Sequence, residues 1–152
     1  KDVDAMIYMA SAEEAQGHGE AAQKYYVNVL AVKPDHPVAL NNLAWLLRNK
    51  DSARAQDLAE KAVKQHPDSP ALADTLAVIL MARGEDRRAV QLLQGFVSDG
   101  KKDAAPGLRY HYAQALVRTG KKGEAKALLT SLVVENFPEK ASAQSLLKEI
   151  SP

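Results

Sequence analysis

The chain has 152 residues, 46% of them hydrophobic and 26% charged, a composition that folds as one ordinary globular domain and excludes a disordered polymer or an enzyme built from two large lobes. Twenty basic side chains against nineteen acidic ones leave a net charge of +1, which argues against a nucleic-acid or membrane binder driven by bulk positive charge. The absence of cysteine excludes disulfides, thiol catalysis and thiolate metal sites, and no apolar run approaches the ~20 residues that span a bilayer.

The sequence opens at Lys1-Asp2 with neither a methionine nor a basic-then-apolar leader, so it is expected to be a piece of a longer protein. A first helix carries Met6, Met9 and Ala10, and a turn at Gly17 leads to a second with Ala22 and Tyr26. The loop Lys33-Pro34-Asp35-His36-Pro37 stops that helix at its first proline and starts the next at its second. Leu40, Leu43, Ala44 and Leu47 then fall at helical spacing, Lys50-Asp51-Ser52 makes a turn, and Ala55, Leu58, Ala59, Ala62 and Val63 mark a fourth helix. His66-Pro67-Asp68-Ser69-Pro70 repeats the earlier loop, with Ser69 as an N-cap for a helix carrying Ala73, Leu76, Ala77 and Leu80. Gly84, then Ala89 and Leu93, complete a third pair. The insert Asp99 to Ala105 lengthens the next connection by about two residues. A fourth pair follows, with Arg109, Tyr112, Ala113 and Leu116 before Gly120, and Ala125 and Leu129 before Pro138. A last amphipathic series, Ala141, Ala143, Leu146, Leu147 and Ile150, closes the chain.

Two alanine series beat time through these elements. Ala10, Ala44, Ala77 and Ala113 are 34, 33 and 36 residues apart, and Ala22, Ala55, Ala89 and Ala125 are 33, 34 and 36 apart. Antiparallel helices joined by a short turn approach closely only where the crossing point carries almost no side chain, and alanine supplies this without glycine's helix penalty. This pattern of a large residue, a leucine and a small residue, then alanine, an aromatic and proline, resembles the tetratricopeptide repeat over roughly residues 3 to 138. The resemblance implies an all-α right-handed solenoid. Its repeats are expected at residues 3–36, 37–69, 70–105 and 106–138, with a capping helix at 139–150 whose polar outer face keeps the end soluble. Glu13 departs from the pattern, standing where the family usually has an aromatic or leucine; this implies a less buried first helix or a neighbouring unit that once covered it.

A narrower likeness lies in Leu40-Asn41-Asn42-Leu43-Ala44-Trp45-Leu46-Leu47, Leu58-Ala59-Glu60-Lys61-Ala62 and Asp74-Thr75-Leu76-Ala77. These strings resemble the C-terminal repeats of bacterial tetratricopeptide lipoproteins of exosortase/PEP-CTERM surface-sorting systems. They imply a larger, lipid-anchored protein of the bacterial cell envelope, with the cytoplasm as the alternative location.

Nothing in the sequence assembles a catalytic constellation. His18, His36, His66 and His111 form no pair at metal-ligand spacing, and no thiolate is present to complete a site. Gly17-His18-Gly19 lacks the preceding strand and the G-K-[ST] ending of a phosphate loop. Glu13-Glu14 and Glu85-Asp86 sit at helix ends or turns, where carboxylates are ordinarily solvated. Arg87-Arg88, Lys101-Lys102 and Lys121-Lys122 are each interleaved with acids or glycine and read as a solvated edge. No enzyme activity, metal or cofactor is expected.

The tetratricopeptide resemblance instead implies a concave groove lined by the first helix of each pair. Its positions correspond to Tyr8 and Ser11 in the first repeat and Asn41, Asn42, Trp45 and Asn49 in the second. The third contributes Asp74, Thr75 and Val78, and the fourth Tyr110, His111, Gln114 and Arg118. Asparagine offers both donors and acceptors to an extended backbone, and Trp and Tyr are frequent binding hot spots. The basic residues with which some family members clamp a C-terminal carboxylate are replaced here by Ile7, Ser11, Asn42, Ala71 and Thr75. The implied function is a non-catalytic scaffold that holds a peptide or helix of another protein. The alternative is a structural stretch of a longer array that self-associates and binds nothing in its groove.

Overall fold

The computed structural model describes residues 2–97 and 104–152, and among them every regular element is helical. They divide into an N-terminal unit, residues 1–79, and a C-terminal unit, residues 80–152. The longer insert expected before the fourth pair falls mostly on residues 98–103, outside the described residues, as does Lys101-Lys102.

In the N-terminal unit, α1 (Val3–Ala15) pairs with α2 (Gly19–Val32), and α3 (Pro37–Leu47) with α4 (Ser52–Gln65). α5 (Pro70–Ala82) begins in this unit and crosses the division after Ile79. Prolines open α3 and α5 as their spacing predicts, because a first-turn residue has no intrahelical use for an N–H. Asp2 caps α1 with its carboxylate, accepting from the N–H of Asp4 and Ala5, and Asp51 caps α4 through the N–H of Arg54. Ser69, the expected N-cap of α5, accepts from the Leu72 N–H through Oγ at 3.5 Å. The alanines of both series, Ala10, Ala44, Ala22 and Ala55, are fully buried. A cluster of Leu40, Ala62 and Leu72, flanked by Leu30, Leu58 and Val63, joins α3, α4 and the start of α5. Lys61 Nζ ties α4 to the loop after α2, reaching Pro34 O at 2.7 Å and Asp35 Oδ1 at 2.8 Å.

The C-terminal unit holds the end of α5, α6 (Asp86–Val97), the pair α7 (Pro106–Arg118) and α8 (Lys122–Leu132), and α9 (Lys140–Ile150). Its core is Leu93, Leu108, Tyr112, Ala113, Leu116, Ala125, Leu129, Leu132 and Ala143. α9 packs on both α7 and α8 and buries Ala143. Arg109 fastens the start of α7, donating from Nε to Ala104 O at 2.9 Å and from Nη2 to Glu135 at 2.7 Å. Gly17, Gly84 and Gly120, at the turns of three pairs, adopt φ of +79°, +77° and +83°, the left-handed conformation that glycine reaches without strain.

Candidate protein-interaction site

On α3 of the N-terminal unit, Val38, Asn41 and Trp45 are spaced i, i+3 and i+7 and therefore share a face. Val38 and Trp45 stay exposed at 42% and 37%. Arg48, one turn further on, lays its guanidinium 3.8 Å from the Trp45 ring centroid and donates to the Trp45 carbonyl. Beside this face, between the N-terminal ends of α3 and α5, lies a cleft of about 340 Å³ whose walls include Val38, Asn41, Ala71 and Leu72. Tyr8 on α1 is 74% exposed, and Ser11, one turn on, is exposed as well.

The asparagines divide their labour. Asn42 donates to the Tyr26 hydroxyl at 2.9 Å and accepts from Asn41 Nδ2 at 3.2 Å, while the Tyr26 hydroxyl donates to Glu14. Asn42 is thus a brace between α3 and α2. Burial pushes the Tyr26 phenol up, and the Glu14 carboxylate adds to the shift. Asn49 is exposed in the turn after α3, whereas Asp74, Thr75 and Val78 are half-buried on α5.

In the C-terminal unit the expected groove positions differ in exposure: Tyr110 is buried, His111 and Gln114 are half-buried and Arg118 is exposed. Tyr110 is only 7% exposed; its hydroxyl takes a hydrogen bond from Gln114 Nε2 at 3.0 Å and is linked to Ser142 of α9, and burial raises its pKa. His111 lies against the Tyr110 ring at 5.7 Å between centroids. Arg118 turns away to Met81 O and Asp86. Tyr110, expected to line a groove, instead packs inside this unit, with Ser142 of α9 against its hydroxyl.

Val38, Arg48 and Leu72 were missed by residue-type reasoning, although stepping seven residues back and three forward from Trp45 finds the first two. His36, in the loop between α2 and α3, accepts the Ala39 N–H through Nδ1 at 3.4 Å and caps α3. Glu13, at the pattern's departure, accepts from His18 Nδ1 at 2.9 Å across the α1–α2 turn. Among the described residues no cluster of histidine and carboxylate groups could hold a metal ion, and no helix is long and apolar enough to cross a membrane.

Two family models, both described as tetratricopeptide repeat, match residues 9–70 and 46–105, so that together they run through the first three helix pairs. The chain belongs to the tetratricopeptide repeat family. Its all-α fold is the family's solenoid class, as similarity to solved structures also shows. YrrB, a tetratricopeptide protein with an unusual peptide-binding site, is 20% identical at a TM-score of 0.75, over 98% of this chain and 76% of that one. PilF of Pseudomonas aeruginosa is 16% identical at a TM-score of 0.83, over 97% and 67%. MamA of Desulfovibrio magneticus RS-1 is 17% identical at a TM-score of 0.80, over 97% and 82%. No curated protein matches the chain in sequence. As a tetratricopeptide protein it has the fold of a protein–protein interaction scaffold, and such proteins are in general non-catalytic.

Proposed function

We propose that the N-terminal unit holds a peptide or helical segment of another protein against the shared face of α3 and the neighbouring cleft. The observation that carries this reading is the partly exposed Trp45, braced by Arg48, on the same helix face as Val38 and Asn41, which line the apolar-walled cleft. A rigid aromatic beside an apolar recess is the usual make-up of a binding hot spot, and Asn41 supplies a polar side chain for a bound backbone. YrrB's peptide-binding site is support by analogy of fold only. The narrower resemblance sets this capture in the bacterial envelope, in assembly or sorting of surface material, and fractionation of cells carrying the tagged full-length protein tests that setting.

A phage-displayed peptide library panned on the wild-type chain and counter-selected on Trp45→Ala tests the binding. Enrichment of a shared motif whose synthetic peptide binds wild type and loses about 1–3 kcal/mol with Trp45→Ala supports it. A library that converges on nothing, together with concentration-dependent self-association in light scattering, would favour the structural-array alternative.

A further inference from the structure

The turns between α5 and α6 and between α7 and α8 stand side by side in the C-terminal unit. Arg118 Nη1 bridges them, donating to Met81 O at 2.7 Å and to Asp86 Oδ1 at 3.3 Å. A cleft of about 490 Å³ opens there, lined by Gly84 to Arg88 on one side and Arg118 and Thr119 on the other. Residues 83–88 and 118–126 together carry seven basic side chains and three acidic ones, whereas the rest of residues 80–152 carry five of each. The positive excess of this unit is therefore concentrated on one edge. The fold does not demand it: the corresponding turns of the N-terminal unit, residues 16–21 and 49–56, balance Lys50 and Arg54 against Glu20 and Asp51.

The three acids of the edge are already engaged. Glu85 pairs with Arg88 and Arg83, Asp86 with Arg118, and Glu124 with Lys121. The surplus falls on Arg87, Lys122 and Lys126, which are exposed and pair with no acid among the described residues. Lys122 and Lys126 are one turn apart on α8, and Arg87 borders the cleft. Arg87 and Arg88 on one turn and Arg118 on the other, some thirty residues apart in sequence, border one cleft once the hairpins stack, and Lys121-Lys122 follows Arg118 in the second turn.

We propose that this edge docks an acidic segment of a partner protein, whose carboxylates meet Arg87, Lys122 and Lys126 and the mouth of the cleft. Residues 83–88 and 118–126 contain no aromatic side chain on which bases could stack and no large exposed apolar side chain to enter a lipid surface, which sets the edge apart from a single-stranded nucleic-acid platform or a membrane-inserting face. Complementary charge here governs partner choice and association rate, and its effect fades with salt.

The test is fluorescence anisotropy with a labelled peptide of alternating Glu and Gly, its Gln/Gly counterpart, a DNA duplex of equal charge and vesicles containing phosphatidylserine. The Glu peptide is expected to bind, the Gln peptide not, with affinity falling as salt rises. Arg87→Glu/Lys122→Glu should weaken it by about tenfold or more, whereas the charge-matched Lys140→Glu/Lys148→Glu on α9 should weaken it by less than about threefold. Circular dichroism checks that both variants keep their helicity, and Lys126→Glu serves as a milder second probe of the edge. Trp45→Ala should leave this binding intact, so that failure here and failure of the peptide-capture reading are separable. No binding of the Glu peptide, equal loss in the α9 variant, or tighter binding of DNA or vesicles than of the peptide overturns the proposal.

Discussion

Gly84 turns the chain between α5 and α6 at φ +77°, and a Cβ placed there would meet nothing within 4 Å. Any cost of Gly84→Ala is therefore conformational, and thermal unfolding should report a loss of about 1–2 kcal/mol. Trp45 and Tyr110 make the sharper contrast among single residues. Trp45→Ala should weaken peptide capture while changing the midpoint of thermal unfolding little, because the indole is 37% exposed. Tyr110→Ala should instead cost about 3–5 kcal/mol of stability, because the ring is buried beneath α9 and its hydroxyl is hydrogen-bonded. Repeat position is readable from residue spacing, but exposure is not: Tyr110 is buried, whereas Asn41, which holds the same place on α3, is half-buried.

At the scale of elements, α3 and α4 approach through Ala44 and Ala55, both with no exposed surface. Ala44→Leu should overpack this contact and cost about 1–3 kcal/mol in chemical denaturation; an unchanged denaturation midpoint would contradict the packing. The tie between α7 and the segment after α8 is electrostatic. The Arg109 hydrogen bond holds Glu135 below the ordinary carboxyl value of 4.5. A carboxyl lowered by folding adds stability that is present above its unfolded pKa and lost as pH falls through the folded one. Melting curves of wild type and Arg109→Gln should accordingly lie furthest apart near neutral pH and draw together as pH falls below the ordinary carboxyl value of 4.5 and through the lowered one. Helix pairing was legible because alanine at a crossing is a local steric signature. The Arg109–Glu135 pair was not, since no spacing rule links residues 26 apart.

For the molecule as a whole, two surfaces of different chemistry follow from one repeated pattern. The proposed capture at the α3 face, by Trp45, Val38 and an apolar-walled cleft, should fall only modestly from low to high salt, whereas the proposed docking at the basic edge should fall steeply. Titrating one peptide of each kind across salt concentrations distinguishes them. The sequence by itself determined the helix pairs, their turns, the family and the scaffold class, because these depend on short-range periodicity, on proline and glycine backbone preferences and on small residues at crossing points. Only the tertiary structure decided that Asn42 braces Tyr26, that α9 closes over Tyr110 and that Arg118 joins two turns into one basic edge. Those outcomes depend on which side chains meet across elements distant in sequence, and a net charge near neutrality conceals where the charges gather in space.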